Sequence, residues 1–467
     1  MPTIIGAIFF CFAAYFFFFK EDLLFGLLLI SCVFEAASAI NVGERGIQPY
    51  YIVAVFVIAR AIVNKLFGIA GNKATPPYKW LLLFGVVAIV SAFISPIIFA
   101  GIPIYDPKIG IDDGLFIRPP LRFGLNNIIQ SCYLAVHIAT AFSLLAIKFS
   151  PTKTRRAFLL AFYIEVSFIF AESFCQLAGL SFPLSLVLNN PGYALWENSM
   201  EAYGTRNPGT FSEPSLAGVF LTLYCAAFLA QYFSHKGGSA KVVISLLAMG
   251  MVASTSSLFA VSLTLVALLI SYPPFRAPWY INLSQAKRIL WILLLIVTPF
   301  VLVLLLSSGF RAVLTTVTVT KGETGSFINR TASDLYSLQL LFQTYGIGVG
   351  LGSNRTSSFL STSLSNIGVL GTLAFVVFCY KLVAGLQEHV WLKWALLAFF
   401  LNMAISIADM TIPLFWCPIL LALRFSLKEQ DRSRKPALQN LRSQEVEHTS
   451  ISNGVEYCRG LAMCYSE

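Results

Sequence analysis

Arginines outside the apolar runs are the residues of this sequence best suited to binding an anion. Arg206, Arg330 and Arg355 each lie in a polar stretch between long apolar segments. A guanidinium group binds phosphate or pyrophosphate through two parallel hydrogen bonds. For any single arginine, an ordinary solvated loop charge is the simpler interpretation. For the set, together with Arg122 in a similar stretch, we favour anion binding.

A carboxylate follows one of these arginines at the start of an apolar segment. Glu213 lies between Ser212 and Pro214 in the stretch 204–215. Proline suits the first turn of a helix, and serine suits the residue that caps it. A carboxylate there is stabilised by the positive end of the helix dipole. We therefore predict a helix that begins near Pro214, with Glu213 either as a base or orienting group beside Arg206 or as a capping residue alone.

Glycines at alternate positions precede Arg355 in the stretch 345–358. Glycine-rich turns present backbone N–H groups to anions, and we expect Gly350, Gly352 and Ser353 to bind substrate in this way. Because no strand precedes the stretch, a nucleotide-binding loop is not indicated. A tight turn packed inside the protein is the alternative.

Charged residues also lie inside the apolar segments. Arg60 is within the third segment, where a charge is costly and marks a functional candidate by default. We count it among the substrate-binding candidates; snorkelling or pairing with Glu35 is the alternative. Glu165 and Glu172 raise the same question, with function and structure evenly balanced. His137 is expected to be a hydrogen-bonded packing residue.

The composition indicates what kind of protein positions these residues. The 467 residues are 57% hydrophobic and 12% charged, whereas soluble domains carry about a quarter charged residues. We predict an all-α, polytopic membrane helix bundle over residues 1–427, with about 11–14 spans of about 20 residues each. The spans are expected near 3–19, 22–41, 50–68, 80–101, 124–147, 157–180, 214–233, 242–255, 257–272, 289–308, 361–384, 391–409 and 411–425.

The basic residues indicate how the bundle is oriented. Most of the 32 Lys and Arg residues fall on one side of the predicted spans, which the positive-inside rule assigns to the cytoplasm. The N-terminus then lies outside, with three long loops near 102–123, 181–213 and 309–360. We expect a cytoplasmic, disordered tail over 428–467. A net charge of +10 distributed in this way does not indicate a nucleic-acid partner.

Polar residues interrupt or border two other segments. The run 241–272 is too long for one span and has serines and threonine at 254–257, so we predict two short helices there. A segment from Asn329 carries Leu335 and Leu338 on one face, which predicts an amphipathic helix along the outer interface. The nine cysteines show no metal-binding spacing, and we expect no metal site and no disulfide framework.

Several of these stretches occur in an order typical of one protein family. They resemble bacterial polysaccharide polymerases of the O-antigen polymerase and ligase superfamily, over about residues 80–385. The similar stretches are Gly-Thr-Phe-Ser-Glu-Pro-Ser at 209–215, the polar break at 254–257, Gly-Val-Gly-Leu-Gly-Ser-Asn-Arg at 348–355, and Arg-Pro-Pro-Leu-Arg-Phe at 118–123 with Asn126, Asn127 and Gln130.

The resemblance implies a glycosyltransferase of the bacterial inner membrane whose site faces the periplasm. Such an enzyme joins oligosaccharide repeat units carried on undecaprenyl pyrophosphate during surface or exopolysaccharide biosynthesis, with no cofactor. Arg206, Arg330 and Arg355 would bind the pyrophosphate and stabilise developing charge. Glu213 would activate or orient the acceptor hydroxyl. A chain-length regulator and a flippase are the expected protein partners.

Two alternatives stay open from the sequence. Ligases of the same superfamily carry a histidine in the last large outer loop, and 309–360 contains none, which favours a polymerase. A lipid-linked oligosaccharide flippase or other transporter would show paired halves and broken helices at mid-membrane. No internal repeat is visible, but Glu35, Arg60, Glu165 and Glu172 are the residues that favour transport.

Overall fold

A computed structural model describes seven stretches of the chain: residues 1–43, 45–69, 71–107, 117–191, 207–234, 236–271 and 325–429. Several predictions fall outside the described residues. These are the placement of Arg206, the span near 289–308, the loop parts 108–116, 192–206 and 309–324, and the tail from 430 to 467.

The described residues form thirteen α-helices and one small β-hairpin, which confirms the all-α prediction. The helices are α1 (Ile4–Phe19), α2 (Glu21–Ser31), α3 (Pro49–Leu66), α4 (Pro76–Ile98), α5 (Leu125–Ser143), α6 (Pro151–Leu177), α7 (Pro214–Phe233), α8 (Ser239–Val252), α9 (Thr255–Ser271), α10 (Gly325–Gln343), α11 (Phe359–Ala384), α12 (Val390–Ser406) and α13 (413–429). The hairpin pairs β1 (Ile40–Val42) antiparallel with β2 (Arg45–Ile47).

Prolines and capping side chains set where several helices begin. Proline occupies the first turn of α3, α4, α6 and α7, where an N–H group would have no intrahelical acceptor. Thr3, Ser150 and Ser358 accept hydrogen bonds from backbone N–H groups in the first turns of α1, α6 and α11, as N-cap residues do. The helix predicted from Pro214 begins at that residue.

Apolar side chains cover the outside of the bundle as well as its core. Phe12 on α1, Ile97 on α4 and Leu370 on α11 are each more than half exposed. Soluble monomers rarely expose contiguous apolar surface of this kind. Five helices of the described part, α3, α4, α6, α7 and α11, are long and apolar enough to cross a membrane. The bundle is therefore of the membrane-spanning type; the number of spans and their sidedness stay predictions.

Two helices lie at the centre of the bundle. Nearly every residue of α7 is buried, and the helix packs against α8, α9 and α12. Residues 411–427, which include most of α13, are likewise buried. Trp416 of α13 stacks on His137 with ring centres 5.1 Å apart. Both ring nitrogens of His137 lie within hydrogen-bonding distance of oxygens, those of Tyr50 and Thr411, which agrees with the packing role predicted for this histidine.

The apolar run 241–272 forms two helices, as predicted. Ala253 ends α8 in the left-handed conformation, with φ +48°. Ser257 at the start of α9 donates a hydrogen bond to the Ser254 hydroxyl at 3.0 Å, and it accepts one from Asn402 of α12 at 2.9 Å. The hydroxyl groups at the break therefore bind one another and a neighbouring helix.

The helix predicted over 22–41 ends earlier than expected. α2 stops at Ser31, and residues 32–39 continue as an irregular, mostly buried segment into the hairpin. Glu35 in this segment accepts hydrogen bonds from the N–H and hydroxyl of Ser212, at 3.1 and 2.9 Å. The apolar pattern of the segment does not reveal this distant partner, which explains the error.

The amphipathic helix predicted from Asn329 is α10. Leu335 and Leu338 are exposed on one side of it, while Tyr336 and Leu340 are buried on the other. The helix therefore has an apolar outward stripe, although its position along a membrane interface stays a prediction.

The connections between helices lie at two ends of the bundle. We call one the long-loop end; it contains the described parts of the loops near 102–123 and 181–213, the turn 344–358 and the break 407–412. The short-loop end contains the described residues of the connections 67–75, 144–150, 234–238 and 385–389. We call residues 344–358 the glycine turn.

A close contact between two backbones kinks α11. Gly368 has φ +69° inside this helix, and a Cβ there would lie less than 3 Å from the carbonyl oxygen of Gly346. A Cβ on Gly348 would lie 2.7 Å from the carbonyl oxygen of Asn366. Because both segments have glycine at the contact, the glycine turn packs directly against α11. The glycine turn is thus the tight, internally packed turn that the sequence left open as an alternative.

We expect Gly368→Ala to lower the stability of the purified protein in detergent. Gly368 has φ +69° and ψ −172°, a conformation that essentially only glycine adopts and that costs other residues about 1–3 kcal/mol. The added methyl group would also clash with the carbonyl of Gly346. Gly250→Ala is the matched control, because Gly250 lies in α8 with no atom within 4 Å of an added Cβ. Fluorescence-detected thermal denaturation measures both variants, and equal melting temperatures would contradict the close contact.

Candidate active site at the long-loop end

Three buried asparagines from different parts of the chain hold the glycine turn in place. Asn127 of α5 donates to the Ser353 hydroxyl at 2.8 Å. Asn366 of α11 accepts from the backbone N–H groups of Ser353 and Asn354, at 3.2 and 2.9 Å. Asn354 accepts from the N–H of Tyr105 at 3.0 Å. The turn is thus fixed to two helices and to the loop before α5.

The backbone of the glycine turn is committed to contacts inside the protein. The N–H of Gly350 donates to the carbonyl of Asn366 at 2.8 Å, and that of Ser353 donates to the Asn366 side chain. Gly352 has φ +81° and packs against Gln130 of α5. The amides of Gly350 and Ser353, which the sequence predicted to bind an anion, therefore have acceptors inside the protein, and the glycines shape the turn that carries Arg355. Substrate binding by Gly350, Gly352 and Ser353 stays a prediction.

Arg330 and Arg355 are exposed together on one surface. The hydroxyl of Ser357 lies 3.5 Å from the carbonyl oxygen of Arg330, and it donates to Asp334 at 2.7 Å. Arg355, two residues earlier, donates to the carbonyl of Pro107 at 3.4 Å. Both arginines are exposed to solvent. The contact through Ser357 thus brings the backbone at Arg330 close to the backbone two residues after Arg355. We call this pair of exposed arginines the arginine patch.

The loop before α5 is fastened beside this patch. The guanidinium of Arg118 lies 4.4 Å from the ring centre of Tyr336 and 5.8 Å from that of Tyr105. Cation–π contacts of this length attract the arginine to the ring faces. Arg122 is exposed, four residues further along, whereas Arg206 lies outside the described residues.

Glu213 is exposed at the start of α7. It occupies the N-cap position, but its side chain makes no capping hydrogen bond. Its carboxylate accepts a hydrogen bond from Ser215 at 2.9 Å. Ser212, the cap expected from the sequence, instead donates to Glu35. The Glu213 carboxylate is therefore accessible at the long-loop end and does not cap the first turn of α7.

Buried glutamates hold the segment before α7. The N–H and hydroxyl of Thr210 donate to one carboxylate oxygen of Glu165, at 3.0 and 2.6 Å. Gly209, with φ +63°, lies directly against the same carboxylate. Glu172 is buried two turns further along α6, and its carboxylate interacts with the backbone of Gly209. Residues 207–213 are thus non-helical backbone inside the bundle, stabilised in part by carboxylates.

Arg60 lies at the short-loop end, away from the arginine patch. Its guanidinium is 3.1 Å from the carboxylate of Glu21 and 5.7 Å from the ring centre of Phe17. Glu21 also accepts a hydrogen bond from Asn64 at 2.7 Å. The pairing of Arg60 with Glu35 considered from the sequence is therefore wrong. The contact with Glu21 joins α3 to α2 and places Arg60 apart from the other candidates.

A group of polar side chains between α5 and the break 407–412 was not predicted from the sequence. The Thr411 hydroxyl lies 2.5 Å from Gln130 and 2.8 Å from Asp409. Tyr51 donates to the Thr411 carbonyl at 3.0 Å, and its ring stacks on Tyr133. We call these five residues the Asp409 group. The sequence signal for it is a polar face of α5, formed by residues 126, 130, 133 and 137.

No protein-family model matches the chain, and no curated protein is significantly similar to it. The assignment of function therefore rests on the residues of the site and their geometry.

We expect Glu165→Leu to destabilise the protein more than Glu165→Gln. Leucine leaves the buried N–H of Thr210 without this acceptor, at a cost of about 1–3 kcal/mol, whereas glutamine keeps a carbonyl oxygen there. Melting temperatures of the two purified variants in one detergent measure the difference. If both variants melt together, the Thr210 contacts do not hold the segment before α7.

Proposed function

We propose that this protein is a membrane glycosyltransferase that polymerises oligosaccharide repeat units carried on undecaprenyl pyrophosphate. The arginine patch is the observation that supports the proposal. Arg330 and Arg355 come from separate parts of the chain and are exposed together at one end of a bundle of membrane-type helices. Two guanidinium groups suit a pyrophosphate, whose oxygens accept paired hydrogen bonds. Arg122 and Arg206 are further candidates for the same ligand.

The proposed reaction moves a sugar chain from one lipid carrier to another. The acceptor hydroxyl oxygen bonds to the anomeric carbon of the donor chain, and the bond from that carbon to the pyrophosphate oxygen breaks. The lipid pyrophosphate leaves with the bonding electrons, and the arginines stabilise the charge that develops on it. Glu213 takes up or orients the proton of the acceptor hydroxyl. Pyrophosphate is itself the leaving group, so the reaction as proposed uses no cofactor.

The contacts of the charged residues favour an enzyme that works at one face over a transporter. A transporter is expected to place ionisable residues along a path through the membrane. Glu35 and Glu165 instead bind the backbone before α7, and Arg60 pairs with Glu21 at the short-loop end. The exposed candidates for chemistry, Glu213 and the arginine patch, lie at the long-loop end.

The proposal places the protein in the bacterial inner membrane, with the long-loop end in the periplasm and residues 428–467 in the cytoplasm. A polymerase is favoured over a ligase because the stretch 309–360 contains no histidine. Grooves between the apolar helices would hold the polyprenyl tails. The resemblance supplies the expected partners, a flippase that delivers the repeat units and a chain-length regulator.

Arg330→Ala and Arg355→Ala should each lower polymerisation by about 100-fold or more, as does loss of one donor to a developing oxyanion. Arg355→Lys keeps the charge without the paired hydrogen bonds, so it should restore part of the activity. The assay measures polymer made from purified lipid-linked repeat units by the full-length protein in nanodiscs.

Arg156→Ala is the matched control, because Arg156 is an exposed arginine of α6 near the short-loop end. It should keep the wild-type rate. Normal rates for both patch variants, at normal expression, would refute the proposed function. Deletion of the gene distinguishes a polymerase from a flippase. Loss of a polymerase leaves single lipid-linked repeat units on the outer face of the membrane, whereas loss of a flippase leaves them on the inner face.

A further inference from the structure

We propose that the Asp409 group is a saccharide-binding subsite that holds the sugar carrying the acceptor hydroxyl. Its members converge from α3, α5 and the break between α12 and α13, at the long-loop end. The choice of an acceptor sugar as the ligand rests on the proposed function. The Asp409 group lies at the same end of the bundle as the arginine patch.

Tyr133 presents an aromatic surface that is supported from behind. Its ring stacks on that of Tyr51, with centres 4.6 Å apart and planes inclined by 23°. Tyr51 is only 8% exposed, and its hydroxyl is anchored to the carbonyl of Thr411. Tyr133 is partly exposed, and its hydroxyl makes no hydrogen bond within the described chain. A supported ring with a free polar tip suits the C–H face and hydroxyl groups of a pyranose.

Asp409 contributes a carboxylate with one oxygen fixed and one oxygen open. Its Oδ1 accepts hydrogen bonds from the N–H and hydroxyl of Thr411, at 2.7 and 2.8 Å. Its Oδ2 accepts no hydrogen bond from any residue that the structure describes, and the side chain is partly exposed. An ionised carboxylate accepts only, so the open oxygen suits the hydroxyl donors of a sugar.

Gln130 completes the polar rim through the same threonine. Its side-chain carbonyl oxygen accepts a hydrogen bond from the Thr411 hydroxyl, 2.5 Å away. Its NH₂ group donates to no residue that the structure describes, so this group suits the hydroxyl oxygens of a sugar. Hydroxyl, carboxylate and amide groups are thus available to one ligand.

The chemistry of the group selects a neutral ligand that is rich in hydroxyls. Asp409 would repel a phosphate, and an acyl chain would leave the polar groups unpaired at a cost in free energy. Arg45 of the hairpin and Asp409 both lie within electrostatic range of Tyr133, so the charges around the ring have opposite signs. A sugar satisfies the aromatic face and the polar rim together.

Gln130 also connects this group to the glycine turn. A Cβ on Gly352 would lie 3.0 Å from the Cγ of Gln130, and Asn126 one turn earlier donates to the carbonyl of Gly352 at 2.5 Å. Arg355 follows Gly352 by three residues. A sugar bound by the Asp409 group would therefore lie beside a pyrophosphate held by the arginine patch, as transfer between two lipid-linked chains requires.

Binding of a lipid-free oligosaccharide tests this subsite without the transfer reaction. The probe is the repeat unit released by mild acid from the lipid carrier of the host bacterium. It is titrated against full-length protein in nanodiscs and followed by saturation-transfer NMR. Asp409→Asn, which keeps the shape of the side chain, and Tyr133→Ala should each raise the Kd by about tenfold or more. Tyr133→Phe, which keeps the ring, should bind more tightly than Tyr133→Ala, and Arg156→Ala should match the wild type.

Two results would overturn the subsite. One is the absence of saturable binding to the wild type; the other is a wild-type Kd in both Asp409→Asn and Tyr133→Ala. In the polymerisation assay, Asp409→Asn should raise the KM for the acceptor and leave that for the donor near the wild-type value. If the variants of the arginine patch polymerise normally, the proposed function fails, while the oligosaccharide titration still decides the subsite.

Discussion

Backbone that leaves a helix inside an apolar bundle must find its own hydrogen-bond partners, because lipid and apolar side chains supply none. Three non-helical segments at the long-loop end meet this requirement in different ways. Carboxylates bind residues 207–213, asparagine amides bind the glycine turn, and Asp409 with Thr411 binds the break 407–412. The candidate site lies where these segments meet, so its shape depends on which side chains bind the backbone N–H groups of each segment.

This requirement also separates two kinds of polar residue that look alike in the sequence. Glu165 and Glu213 are both carboxylates close to the start of α7, yet Glu165 is buried against Thr210 whereas Glu213 is exposed. Asn366 and Arg355 form a second such pair, because Asn366 is buried and fixes the turn while Arg355 is exposed on it. The buried member of each pair holds backbone in place, which leaves the exposed member free for a ligand.

Local signals explain what could be predicted, and distant contacts explain what could not. The start of α7 and the break between α8 and α9 follow from a proline and from polar residues within an apolar run. The early end of α2 depends on a contact between Glu35 and Ser212, which are 177 residues apart. The partner of Arg60 is 39 residues away in sequence, and Gln130 is 281 residues from Thr411 of the Asp409 group. Asp409 itself lies between two apolar runs, where an aspartate resembles any loop charge.

The burial of α13 has a consequence for how the protein is assembled. Residues 413–429 follow every other described helix in sequence, yet they fill the middle of the bundle. Phe415 stacks on Phe359 of α11, and Arg424 donates to the carbonyls of Leu144 and Ile147 after α5. During synthesis, the earlier helices therefore cannot complete their packing until α13 has been made. The final packing of the bundle, and with it the arrangement of the candidate site, is reached only after this last described helix has joined the others.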